Sequence, residues 1–108
     1  MRDITPLVAP RSIAVIGAST DPAKSGGILF KNLLDGGFAG PLYPVNPRAE
    51  TVMDIKAYPT IAEVPDAVDL VFIVVPRQHV KEALSQCAAS GAKAVCIITA
   101  GFSEIGDG

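Results

Sequence analysis

The run Leu70-Val71-Phe72-Ile73-Val74-Val75 carries no polar residue and stops at Pro76. A strand that is apolar at every position has no face to give to water, so other elements must cover both of its faces. That requirement is met by a parallel sheet with helices packed on it. Three further short runs share the character. Ser12-Ile13-Ala14-Val15-Ile16 ends at Gly17. Pro41-Leu42-Tyr43-Pro44-Val45 stops at Asn46-Pro47, and its two prolines imply a strand end or a strand shorter than the run. Ala94-Val95-Cys96-Ile97-Ile98 is the fourth.

Helical patterns lie between these runs. Ile28, Leu29, Phe30, Leu33 and Leu34 recur at helical spacing, with Ser25 as the expected cap and Gly36-Gly37 as the stop. Thr60-Ile61-Ala62-Glu63 has the form of a capping box on a short helix that Pro65 ends. Val80, Ala83, Leu84, Cys87 and Ala88 form one stripe of a helix from Arg77 to Ser90, closed by Gly91. Residues 1–11 read as irregular and 48–59 as a connection. The order predicts an α/β fold: a Rossmann-like parallel sheet with helices on both faces and right-handed crossovers, truncated after the fourth strand. Residues 1–108 are expected to be a single domain, the N-terminal fragment of a longer protein.

Composition narrows the partners. The chain has 108 residues, 49% apolar and 19% charged, as a compact domain would. Nine basic and 11 acidic residues give a formal net charge of −2, which lacks the basic footprint of a nucleic-acid binder. No apolar run approaches the ~18 residues of a membrane span. Met1-Arg2-Asp3-Ile4-Thr5-Pro6 has no signal-peptide core. Neither nucleic acid nor membrane is therefore an expected partner, and the cytoplasm is the expected location. Cys87 and Cys96 make no metal or disulfide pattern and read as two buried thiols.

Ligands of open α/β sheets sit at the carboxyl ends of the strands, near the switch in strand order. The loop Gly17 to Gly27 follows the first strand and opens a helix. Its glycines let backbone approach an anion, the helix start offers N–H groups, and Ser19, Thr20 and Ser25 add hydroxyls. A bulky residue at Gly17 is expected to block a phosphate here. A plain strand-to-helix turn explains the loop about as well. The P-loop pattern fails because Pro22 and Lys24-Ser25 lack the second glycine, and the dinucleotide pattern Gly-x-Gly-x-x-Gly fails at Ser19. After the second strand, Val45-Asn46-Pro47-Arg48 puts a cation where an NAD site has a carboxylate. Arg48 suits a phosphorylated ribose, which NADP and coenzyme A (CoA) both carry, or is a solvated surface arginine. His79, the single histidine, has no Asp, Ser or Cys pattern beside it and reads as a surface residue. Asp35, Glu50, Asp54, Glu63, Asp66 and Asp69 are spread as on a solvated surface. No catalytic constellation and no metal site emerge.

The series Pro10-Arg11-Ser12-Ile13-Ala14-Val15-Ile16-Gly17-Ala18-Ser19, Asn32-Leu33-Leu34, Gly37-Phe38, Tyr43-Pro44-Val45-Asn46-Pro47, Ala57-Tyr58-Pro59, Val64-Pro65, Asp69-Leu70, Val75-Pro76 and Ile97-Ile98-Thr99-Ala100-Gly101-Phe102 with Glu104 covers nearly the whole chain. It resembles the CoA-binding domain of nucleoside-diphosphate-forming acyl-CoA synthetases, such as ADP-forming acetate–CoA ligase, related to the α subunit of succinyl-CoA synthetase. The resemblance implies a Rossmann-like domain that holds CoA along its strand ends. Gly17, Ala18, Ser19, Ser25 and Gly26 would meet the phosphates. Val45, Asn46, Pro47 and Arg48 would frame the adenosine and its 3′-phosphate. Val75 and Pro76 would line the nucleotide or pantetheine path, and Thr99, Gly101, Phe102 and Glu104 would lie toward the thiol.

The reaction implied joins a carboxylic acid to CoA while ATP becomes ADP and phosphate. Its phosphorylated histidine, ATP and Mg belong to downstream domains, so His79 is not assigned that role and this chain alone would bind without catalysing. Asp54 departs from the family, where glycine is common, and puts the local turn in question. A stand-alone CoA-binding module, the CoA-binding region of a protein lysine acetyltransferase and an NADP-binding oxidoreductase domain remain open. So does a purely structural domain, and an exposed sheet edge would allow pairing of the chain with itself.

Overall fold

The computed structural model describes residues 10–98 apart from Pro22, Ala39 and Asp66. Four strands, β1 (Ile13–Ile16), β2 (Leu42–Val45), β5 (Leu70–Ile73) and β6 (Ala94–Ile97), form one parallel sheet in the order β2-β1-β5-β6. Ile13 lies opposite Leu42 on one side and Leu70 on the other, and Leu70 opposite Ala94. The expected parallel α/β sheet is therefore present. The prolines of β2 are explained by its place at the edge. The N–H groups of Ile13 and Gly17 donate to the carbonyls of Pro41 and Val45, so alternation turns the nitrogen of Pro44 away from β1.

Both faces of β1 are buried. Ala14 and Ile16 pack with Val71, Ile73, Ala83 and Cys87, whereas Ile13 and Val15 pack with Phe30 and Leu70. The helix α1 (Ser25–Asp35) covers the second face through Phe30, which is 0% exposed. Its end is a Schellman motif, with Gly37 N–H donating to Leu34 and Phe38 N–H to Leu33. Ser25 is not its cap: it is the first helical residue, and Lys24 stands at the cap with no side-chain bond. Asp21 organises the entry instead, its carbonyl accepting from Lys24 N–H and its carboxylate from Ala23 N–H.

The other face carries α2 (Val80–Ser90), preceded by a 3₁₀ turn at Arg77–His79 rather than by continuous α-helix. Its buried stripe is narrower than the sequence implies. Ala83 and Cys87 point inward, but Leu84 is 38% exposed and Ala88 is exposed. Burial pushes the Cys87 thiol up, as expected of a thiol packed as a hydrophobe. Cys96 is only half-buried, because β6 is an edge strand with half-exposed faces, and its Ile97 is 43% exposed. The predicted capping box is a single 3₁₀ turn, Ile61–Glu63, where Glu63 N–H donates to the Thr60 carbonyl and the Thr60 side chain caps nothing.

Two features were not visible in the sequence. The stretch expected to be a connection holds an antiparallel hairpin, β3 (Thr51–Val52) with β4 (Ile55–Lys56). Its turn places Met53 at φ 51° and Asp54 at φ 70°, the two left-handed positions of a type I′ turn. The second is Asp69. It is not on a solvated surface but 9% exposed at the amino ends of the strands. Its carboxylate accepts from Arg11 N–H at 2.9 Å, Lys93 Nζ lies 3.6 Å away, and its own N–H donates to Ser12 Oγ.

Asp54 therefore occupies a backbone conformation that glycine adopts without strain. Asp54→Gly is expected to raise stability by about 1 kcal/mol in chemical denaturation. A loss would contradict the left-handed turn. The Arg11 N–H, aided by Lys93 against the opposing effect of burial, holds the Asp69 carboxyl below its ordinary 3.8. A depressed carboxyl stabilises the fold above its unfolded value, and that stabilisation disappears as pH falls through the folded one. Asp69→Asn should lower stability at neutral pH and flatten its decline below about pH 4. An unchanged acid limb would contradict the assignment.

Candidate functional site

The sheet order places β2 on one side of β1 and β5 on the other, so the chain reverses direction of winding at β1. A crevice opens there, outside the carboxyl ends of the strands. β1 ends by bonding to both neighbours: Gly17 N–H donates to the Val45 carbonyl and Val74 N–H to the Ile16 carbonyl. Gly17 then takes φ +97°, which turns the chain out of the sheet. A Cβ on Gly17 would lie 2.0 Å from the Val74 carbonyl oxygen. The position thus demands glycine for the fold. A backbone neighbour already in place gives the glycine a structural reason beside the expected one, room for an arriving phosphate.

Gly26 has a matching role. A Cβ there would lie 1.9 Å from the Gly17 carbonyl oxygen, so the first turn of α1 sits directly on the end of β1. Helix N–H groups of a first turn lack carbonyl partners four residues back within the helix. Those of α1 are brought to the crevice by this close approach.

Asn46 joins the second wall to the first. Its Nδ2 donates to the Ala18 carbonyl at 2.9 Å and its Oδ1 accepts from Arg48 N–H at 2.8 Å. One amide therefore holds the β1 loop and folds Asn46-Pro47-Arg48 into a turn. The third wall is the segment after β5, Val74 to His79, whose 3₁₀ turn closes with His79 N–H donating to the Pro76 carbonyl.

These walls enclose a cleft of about 760 Å³, within the usual range of small-molecule sites. Gly17, Ala18, Ser19, Ser25, Gly26, Asn46, Pro47, Arg48, Val75 and Pro76, all expected at the site, line it together. Val45 does not: it is buried in the core beneath, and it serves the site through its carbonyl. Thr20 is exposed and outside the lining. Thr99, Gly101, Phe102 and Glu104 lie outside the described residues. Five wall residues were missed: Ala23, Lys24, Ile28, Val74 and His79. Ile28 carried a signal, since the helical pattern starts on it, and it is 48% exposed at the rim. His79 is exposed, as expected, yet belongs to the wall.

The electrostatics are one-sided. Lys24, Arg48 and His79 are in the wall and no aspartate or glutamate is, although the chain as a whole is acidic. Among the described residues neither Lys24 nor Arg48 has an ion-pair partner. Cations left unpaired at a helix start are suited to phosphates. Ile28, Pro47, Val74, Val75 and Pro76 add apolar wall. The Ser19 hydroxyl accepts from Asp21 N–H, which fixes it within its own loop. The described residues contain no group of His, Cys, Asp and Glu able to hold a metal ion. No described helix is long and apolar enough to cross a membrane.

Replacing Gly17 with alanine tests this geometry. Gly17→Ala should destabilise the fold by about 2–4 kcal/mol, from the left-handed strain and the overlap with Val74 together. Normal stability with only a binding defect would place the side chain in the cleft instead.

Known proteins share this arrangement. Residues 11–105 match the family of CoA binding domains. The chain is 53% identical over 98 residues to the α subunit of ADP-forming acetate–CoA ligase II from Pyrococcus furiosus, covering 91% of this chain and 21% of that one. It is 44% identical over 105 residues to ADP-forming acetate–CoA ligase II from Archaeoglobus fulgidus, covering 97% of this chain and 16% of that one. Among solved structures, the dinucleotide forming acetyl-coenzyme A synthetase 1 of Ca. Korarchaeum cryptofilum, in complex with phosphate and ADP, superposes with a TM-score of 0.89 at 44% identity. That match covers 99% of this chain and 23% of that one. The chain thus spans about a fifth of the length of these relatives. With residues 11–105 matched by the family's model, the chain belongs to the family of CoA binding domains.

Proposed function

We propose that the chain binds CoA in this cleft as the CoA-binding part of an ADP-forming acyl-CoA synthetase, which joins a carboxylic acid to CoA while ATP becomes ADP and phosphate. The observation that carries the reading is the cation-lined crevice at the strand switch, free of carboxylates, in a member of this family. The residues present fit the ligand. CoA carries a diphosphate, a 3′-phosphate, an adenine and a pantetheine arm with apolar methyl and methylene groups, and the cleft offers cations, helix N–H groups and apolar wall to meet them.

Arg48, anchored by its N–H to Asn46, would hold the 3′-phosphate. The backbone of Gly17, Ala18 and Ser19 and the helix start at Ser25 and Gly26 would meet the diphosphate. Asn46 and Pro47 would flank the adenosine, with Val45 supporting them from below. Val75 and Pro76 would guide the pantetheine, and Thr99, Gly101, Phe102 and Glu104 would lie toward the thiol. CoA supplies the nucleophilic sulfur. Activation of the acid, with ATP and Mg, belongs to other domains of the parent protein. Those domains are the main partners in this reading, with a cytoplasmic location. Self-association through the half-exposed β6 edge is the other contact it admits.

Calorimetric titration with CoA, dephospho-CoA and NADP in parallel tests the proposal. CoA should bind, dephospho-CoA more weakly, and NADP not at all. Equal or tighter binding of NADP would overturn the reading in favour of an oxidoreductase domain. Arg48→Ala should weaken CoA by about 1.5–3 kcal/mol and leave dephospho-CoA unchanged. An equal loss for both ligands would remove Arg48 from the 3′-phosphate.

A further inference from the structure

His79 stands in the cleft wall with two ring nitrogens that can meet an anion. It stands on the far side of the Gly17 turn from Arg48. β2, which carries Arg48 at its end, and β5, which carries the His79 turn, flank β1 on opposite sides. Parallel neighbours are ~4.8 Å apart, so the two walls are separated by roughly two strand spacings. A nucleotide that places its 3′-phosphate at Arg48 and its diphosphate over the β1 turn brings that diphosphate beside the His79 end of the third wall.

The charged groups around His79 leave its proton available to that anion. Lys24 faces the cleft from the loop before α1 and Arg48 from the loop after β2. Asp21, in the first of these loops, is outside the wall, and its carboxylate accepts from Ala23 N–H. Arg77 on the same 3₁₀ turn, and Lys81 and Glu82 at the start of α2, are exposed and outside the wall. Among the described residues no carboxylate makes an ion pair with His79. Two cations share the cleft with it and no acid does, so the wall offers no carboxylate to compete with an arriving anion.

We propose that His79 is a third cationic contact of the cleft, its imidazolium meeting the diphosphate of CoA, so that affinity rises as the ring takes up a proton. This rests on the CoA reading above. It adds a binding residue and a pH dependence to the backbone contacts and Arg48.

Dephospho-CoA is the clean probe. A 3′-phosphate changes its own charge near pH 6, whereas a diphosphate diester keeps its charge between pH 5.5 and 8. Titration calorimetry of the full chain with dephospho-CoA should give about tenfold tighter binding at pH 5.5 than at pH 8.0. His79→Gln should abolish the difference by losing the low-pH gain. His79→Lys, which keeps a charge at both values, should bind tightly at both. The chain has a single histidine, so its imidazole proton resonance is unambiguous. By linkage that resonance should titrate at higher pH in saturating dephospho-CoA than without it. Binding of CoA with a pH ratio that survives His79→Gln, or a histidine titration unmoved by ligand, would overturn the role of His79 and leave the CoA reading standing. Absence of CoA binding at either pH would overturn both.

Discussion

The cleft depends on how closely three backbones meet at the end of β1. Gly17 turns under the Val74 carbonyl, and Gly26 brings the first turn of α1 onto the Gly17 carbonyl, both at separations that admit no side chain. Strand, crossover and helix are thereby locked at one point. The helix start is aimed at the crevice between β2 and β5 because no Cβ holds it away. Asn46 completes the arrangement by tying the β2 loop to Ala18.

Charge is sorted along the strands. The carboxyl ends hold Lys24, Arg48 and His79 without an acid in the wall, and the amino ends hold Asp69 in contact with Arg11 N–H and near Lys93. A chain of net charge −2 thus presents a cationic crevice. The overall balance says nothing about a local phosphate site, which needs only a few cations and oriented N–H groups.

Much of this was legible in the residues. Unbroken apolar runs leave a parallel sheet as the way to bury both faces, and β1 and β5 are buried on both. The loops after those strands were marked by glycine, Asn-Pro and Val-Pro, and ten of the residues expected there line one cleft. What stayed hidden was encoded outside local pattern. Two-residue strands are too short for a period, and Met53-Asp54 is not the usual sequence of a type I′ turn. Asp69 could not be told from surface acids, because its partners Arg11 and Ser12 are 58 and 57 residues away. Ser25 had the chemistry of a cap, but it is already the first helical residue, and Asp21 folds the turn that leads into α1. His79 was set aside for want of neighbours in sequence, while its neighbours in the cleft come from two other loops.

The central claim is that CoA lies across the ends of β2, β1 and β5. Amide chemical-shift mapping of the labelled chain during titration with CoA tests it most directly. The account predicts that the largest changes fall on Gly17–Gly26, Asn46–Arg48 and Val74–His79, with the amino-end cluster of Arg11, Asp69 and Lys93 unmoved. Changes centred on that opposite end of the sheet, or on the β3–β4 hairpin, would contradict it.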